Sequence, residues 1–246
     1  MNLTRVTHTL RSTALAAVIS FLTLCALPAS AVPASAASVT VGNNDSGNCY
    51  PFSCLASDVN NTGSRYQQVY SSTAFSGAIN INSISFFLSE GQGGLMDSAS
   101  YAISFSTTSA AVGALDTTFA NNVGGDSQAF GTFAVSGAMP SVLSFTGTSF
   151  AYNPSMGNLL MNVDVFGLTA SNGYQSFFQA DFTGVKTSRL YGYNGSLTSD
   201  NSFDQTGALR TGFNVSAVPE PETYAMMLAG LGLLGFAARR RKQKAA

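Results

Sequence analysis

The sequence predicts an all-β body, an antiparallel β-sandwich or jelly roll, followed by a single carboxyl-terminal transmembrane helix. Three observations carry this expectation. Short runs in the middle of the chain alternate apolar and polar residues, turn-forming clusters of Gly, Asn and Asp separate them, and no helical stripe of useful length precedes Tyr224. A period of two puts one set of side chains on a buried face and the other on a wet face. Many short strands punctuated in this way indicate two antiparallel sheets.

The clearest strands come first. Ile79 and Ile81 alternate with Asn80 and Asn82, and Ile84, Phe86 and Leu88 continue the run. Tyr101, Ile103 and Phe105 alternate with Ala102 and Ser104; Leu159, Met161, Val163 and Val165 alternate with Leu160, Asn162 and Asp164. Leu209, Thr211, Phe213 and Val215 alternate with Arg210 and Asn214. Shorter strands are predicted at 65–70, 130–135, 142–145, 177–182 and 189–193, and a short helix or turn at 115–122. Turns are expected at 91–94, 121–126, 153–154, 171–173 and 194–195.

Composition bounds the function. Of 246 residues, 45% are apolar and only 9% charged, enough apolar surface to fold and too little charge for a disordered chain. Between residues 37 and 217 four cations (Arg65, Lys186, Arg189, Arg210) face ten acids, a net charge of −6. Such a body is a poor nucleic-acid ligand, because phosphate neutralisation needs clustered Lys and Arg.

The amino terminus reads as a secretory signal. Arg5 and Arg11 precede an apolar run at 14–27, and small residues follow in Ala29-Ser30-Ala31 and Ala34-Ser35-Ala36. This is the arrangement of a cleaved signal peptide. Cleavage is expected after Ala31 or Ala36, with Ala36 preferred. Cys25 follows the bulky Leu24, unlike a lipoprotein cysteine, and belongs to the discarded core.

The carboxyl terminus has three parts. Val218-Pro219-Glu220-Pro221 leads into an apolar run from Tyr224 to Ala238, and Arg239, Arg240, Arg241 and Lys242 follow. The prolines keep the approach extended. A helix of 15 residues reaches only about 22 Å at about 1.5 Å per residue, short of a hydrocarbon core of about 30 Å. Flanking basic side chains can snorkel across the deficit, and the basic cluster is expected on the cytoplasmic side.

This tail resembles the PEP-CTERM sorting domain over residues 218–246. The resemblance implies recognition by exosortase, a membrane protease-transpeptidase, with processing near Pro219-Glu220-Pro221. It also implies an inner-membrane precursor in a Gram-negative bacterium, then delivery of the body to the cell surface or an exopolysaccharide matrix. The same tail is also known as an ice-binding protein carboxyl-terminal domain. An ice-binding face needs regular rows of Thr, and the body has none, so ice binding ranks low. The expected organisation is a signal peptide at 1–36, an exported β-sandwich at 37–217 and the sorting tail at 218–246.

Candidate chemistry in the body is sparse. The single histidine, His8, lies in the signal segment, so neither a Ser-His-Asp triad nor a Cys-His dyad can form. Lys186 has no neighbours that suggest Ser–Lys catalysis and reads as a surface lysine. Glu90, Asp164, Asp181 and Asp204 could in principle pair as glycosidase carboxylates, but no spacing selects two of them. Asn and Asp cluster at 121–126 and 200–204, where turn formation explains them without calcium. Cys49 and Cys54 are the two cysteines left after export and are expected to form a disulfide rather than a metal pair.

Tyr50, Phe52, Tyr66, Tyr70, Tyr101, Tyr152, Tyr174, Tyr191 and Tyr193 could offer rings for sugar stacking, with Tyr191 and Tyr193 on one side of a strand. Core packing is the preferred reading of them. The first functional reading is therefore a non-enzymatic surface or matrix protein with no cofactor and no catalytic residue. The runner-up is a carbohydrate-binding β-sandwich module, and a glycosidase stands well behind.

Overall fold

In a computed structural model, residues 37–54, 63–169, 177–194, 196–200, 205–218 and 221–244 are described. The expected signal peptide and the turn at 171–173 lie outside them. The strands are β1 (Ala37–Val41), β2 (Ser46–Asn48), β3 (Gly63–Tyr70), β4 (Ile79–Phe87), β5 (Ser98–Thr108), β6 (Gln128–Val135), β7 (Val142–Tyr152), β8 (Asn158–Thr169), β9 (Phe178–Asp181), β10 (Thr187–Tyr193), β11 (Ala208–Leu209) and β12 (Thr211–Ala217). One helix, α1 (Pro221–Lys244), follows.

All named pairings are antiparallel. A four-stranded sheet runs in the order β1-β12-β4-β7, a five-stranded sheet in the order β10-β3-β8-β5-β6, and a three-stranded sheet in the order β11-β9-β2. The two larger sheets share one core. The four-stranded sheet contributes Ile81, Ile84, Phe86, Phe145, Phe150, Phe213 and Val215, and the five-stranded sheet contributes Tyr66, Tyr70, Tyr101, Ile103, Phe105, Met161 and Val163. Rings meet across the gap: Tyr70 lies 5.0 Å from Phe213 and Phe105 lies 5.9 Å from Phe150, centroid to centroid.

Phe52 sits between the sheets, within 5.7 Å of the rings of Phe86, Tyr101, Phe145 and Phe178. It is fully buried, and burying such a ring is worth about 1.5–3 kcal/mol. Its segment is closed by a disulfide between Cys49 and Cys54, whose Cα atoms lie 5.3 Å apart.

The alternation in β4 changes phase because the strand bulges. Ile79 and Ile81 are buried, and so are Ile84 and Phe86, at opposite parity. The ladder with β12 jumps from Ser83↔Asn214 to Ile81↔Val215, leaving Asn82 as the extra residue. A bulge of one residue restores the inward face after a slip that would otherwise turn every later side chain outward.

Two strands lie outside the sequence expectation. β1 and β2 are short and Ser- and Gly-containing, and they take their ladders from β12 and β9. β7 also runs past the expected 142–145 to Tyr152. Gly147 permits this, since a Cβ there would overlap the Phe130 carbonyl.

The buried amide of Gln68 joins the small sheet to the large one. Its Nε2 donates to Thr187 Oγ1 (3.0 Å) and to the Leu209 carbonyl (2.7 Å), while its Oε1 accepts from Tyr66 Oη (2.6 Å) and Leu209 N (2.9 Å). A fully satisfied buried amide fixes register, because any slip leaves its groups unpaired.

The connection between β5 and β6 folds back over the outer face of the five-stranded sheet. Its Leu115 and Phe119 pack on Val69, Leu160 and Leu190 in a second, smaller core. A 3-10 turn at Phe119–Asn122 occupies the segment where a short helix or turn was expected.

Candidate functional site

The rest of that outer face is polar. Strand alternation sends Tyr66 and Ile103 inward, and their neighbours Arg65, Gln67 and Ser104 outward. Register then gathers the outward groups. Arg65 lies opposite Asp164 and Gln67 opposite Asn162 on one side of β8; Ala102 and Ser104 lie opposite the same two residues on the other.

These groups form a continuous network. Arg65 Nε donates to Asp164 Oδ1 at 2.6 Å, and Asn162 Nδ2 donates to Asp164 Oδ2 at 3.1 Å. Gln67 Nε2 donates to Asn162 Oδ1 (3.1 Å) and to the Phe119 carbonyl (3.0 Å). Asn122 Nδ2 donates to Gln67 Oε1 (2.9 Å) and to the Asp116 carbonyl (2.8 Å). Asp116, at the exposed end, accepts from Thr118 N and Asn121 Nδ2, which hold its carboxyl below the ordinary range. Gln67 and Asn122 are buried, so they anchor the exposed members from beneath.

Over this network lies a groove of about 480 Å³, open to solvent and bordered by Arg65, Gln67, Ser104, Ser127, Asn162 and Asp164. The side chains of Arg65 and Asp164 are 28% and 43% exposed, so the ion pair is wet. Among the described residues the Arg65 Nη groups and the Ser104 and Ser127 hydroxyls have no hydrogen-bond partner.

The other candidates are placed elsewhere. Glu90 is exposed in the turn after β4. Asp181 is buried on β9, where it accepts from Asn43 N, Thr183 N and Thr183 Oγ1. Of Glu90, Asp164 and Asp181, Asp164 alone borders the groove; Asp204 lies outside the described residues. Lys186 Nζ donates to Thr73 Oγ1 at the surface. In the 121–126 cluster, Asn121 bonds Asp116 and Asp126 accepts from Thr107 N. Asp200 accepts from Tyr193 N, and residues 201–204 lie outside the described set. Among the described residues, no three His, Cys, Asp or Glu side chains are grouped to hold a metal ion.

Tyr66, Tyr70, Tyr101 and Tyr152 are core residues, and burial pushes all four hydroxyls above the usual tyrosine range. Tyr50, Tyr191 and Tyr193 are half-buried against one another. Tyr50 stacks on Tyr191 at 4.4 Å, its hydroxyl is hydrogen-bonded to that of Tyr193, and the Arg189 guanidinium lies 4.9 Å from the Tyr191 ring. Among the described residues every tyrosine of the body is at least partly buried; Tyr174 lies outside them.

The tail is helical from Pro221 to Lys244, so Arg239, Arg240, Arg241 and Lys242 continue the helix rather than follow it. Pro219 and Glu220 lie outside the described residues; Val218 N donates to the Ala78 carbonyl at 3.3 Å. Met226, Met227, Leu228, Leu231, Leu233, Leu234 and Phe236 are all more than half exposed, and at 100° per residue they surround the helix. The expected carboxyl-terminal helix is present. Among the described residues no helix is long and apolar enough to cross a membrane, because the basic cluster cuts the apolar run short.

No curated protein and no solved structure matches the chain. One family model does match, over residues 217–242: the chain carries a PEP-CTERM protein-sorting motif at its carboxyl end.

Proposed function

We propose that this chain is a non-enzymatic exported protein of the cell surface or extracellular matrix, delivered through its tail by exosortase. The sorting motif at 217–242 carries the reading. A signal peptide at 1–36 starts export, the body at 37–217 crosses, and the tail at 218–246 halts in the inner membrane of a Gram-negative cell. Exosortase then acts near Pro219-Glu220-Pro221 and releases the body to the exopolysaccharide layer. An apolar run shorter than a full span, followed by basic residues, suits a temporary membrane stop. Between Met226 and Phe236 it is apolar on every side, which suits lipid rather than a water-facing surface, and Arg239 to Lys242 can snorkel to the cytoplasmic headgroups.

The non-enzymatic reading rests on chemistry. The body has no histidine between residues 37 and 217, and among the described residues Asp181 holds a turn and Asp164 an ion pair. The runner-up, a carbohydrate-binding module, is favoured by the groove on the five-stranded sheet.

Replacing Pro219, Glu220 and Pro221 with alanine tests the sorting step. Export should persist while processing stops, so the surface-accessible protein keeps the mass of the tailed form. A processed mass identical to that of the unaltered protein would remove exosortase recognition of this motif.

A further inference from the structure

We infer that the groove bordered by Arg65, Ser104, Asn162 and Asp164 binds an uncharged polysaccharide through its vicinal hydroxyls. The inference rests on the matrix reading for its biological setting, and on the groove alone for its chemistry.

Its position excludes several occupants. The groove lies across β3, β8 and β5, each hydrogen-bonded to a strand on both sides, so no free backbone edge is offered to an extended peptide. One arginine, already bonded to a carboxylate, is no platform for phosphates. One carboxylate is too few for a hard cation, which takes six or more oxygens.

Its chemistry fits a polyol. A sugar hydroxyl both donates and accepts, so its site must offer both functions within a few ångströms. Asp164 accepts, the Arg65 Nη groups donate, and the Ser104 and Ser127 hydroxyls do either. Ala120 and Val123, both exposed on the groove's rim, supply an apolar surface for C–H faces. The small Ala102 and Ser104 on β5 leave space beside the taller Arg65 and Asp164.

The groove is also preorganised. Asp164 is held at both oxygens, by Arg65 and Asn162, and Asn162 is held by the buried Gln67. Ligand binding therefore freezes few side chains, and that lowers the entropic cost of association. A volume of about 480 Å³ falls within the range of small-molecule sites.

Charge selects among polysaccharides. The Arg65–Asp164 pair is neutral as a unit, while the body around it carries net −6. A polyuronate would meet that field and the Asp164 carboxylate with like charge. An uncharged chain meets neither penalty. The open groove admits an internal segment as well as an end.

The test is calorimetric titration of the full chain, purified in a zwitterionic detergent without a sugar headgroup. The probes are uncharged glucan, mannan and galactan hexasaccharides, with an oligouronate of equal length as the charged arm. At least one uncharged probe should bind, and more tightly than the oligouronate. Asp164→Ala should weaken it tenfold or more. Ser104→Tyr, which fills the groove without removing a bond of the network, should do the same, and Glu90→Gln should leave it unchanged. The inference fails if no uncharged probe binds, if the oligouronate binds best, or if neither groove variant weakens binding. Sorting is read from mass at the surface and this from purified protein, so either can fail without the other.

Discussion

Two halves of one sheet face meet opposite fates in this molecule. On the outer side of the five-stranded sheet, Val69, Leu160 and Leu190 lie under the β5–β6 connection and are buried. Four residues further along β3 and β8, Arg65 and Asp164 replace apolar bulk, and the face opens. Backbone, twist and pairing are shared, so side-chain chemistry sets the limit of the cover. Extending it over the Arg65–Asp164 pair would strip water from two charges, at several kcal/mol per ion. Phe119 marks the boundary: its ring joins the apolar half while its carbonyl takes the Gln67 amide of the polar half.

The covered half should be the one that holds the fold. Phe119→Ala removes a ring that is 1% exposed and packed on Leu160 and Leu190, and should cost about 3–5 kcal/mol. Urea unfolding monitored by circular dichroism measures it. A loss under about 1 kcal/mol would mean that the connection rests on the sheet without packing into it.

Gln67 lies beneath both halves and should rank next. Gln67→Leu removes the amide bonded to Phe119, Asn162 and Asn122 and strands buried partners, for about 1–3 kcal/mol. The same variant should weaken ligand binding at the groove, because Asn162 loses its anchor. A destabilised protein with unaltered glycan affinity would separate the two halves that Gln67 is held to couple.

The covered half and the sandwich beneath it were largely legible in the sequence. Alternation in β4, β5, β8 and β12 marked the inward faces, but the run from Ile79 to Leu88 read as continuous and the bulge at Asn82 came only from the pairing with β12. β1 and β2 were not legible, because an edge strand can draw its order from one neighbour rather than from its own apolar pattern. The groove was legible only in pieces. Asp164 stood out as one acid among ten and Arg65 as one cation among four, but 99 residues separate them and only the β3–β8 register brings them together. Asn162 had appeared merely as a polar position of an alternating strand, and Gln67 lay unremarked within the short strand expected at 65–70. The sorting tail is a local pattern within one continuous segment, so it was readable without any fold.

The open half should matter least to stability, and Arg65→Ala tests that most directly. Its partner is the half-exposed Asp164, and wet ion pairs contribute about 0–1 kcal/mol. The freed carboxylate stays solvated and keeps its bond from Asn162, so no buried charge is orphaned. The unfolding midpoint in urea should therefore shift by less than for Gln67→Leu, and added salt should shrink the difference further, since exposed charge pairs are screened over about 10 Å at 0.1 M. A loss near that of Phe119→Ala, insensitive to salt, would show that the pair locks β3 to β8. Polarity on this half would then serve the fold rather than a ligand.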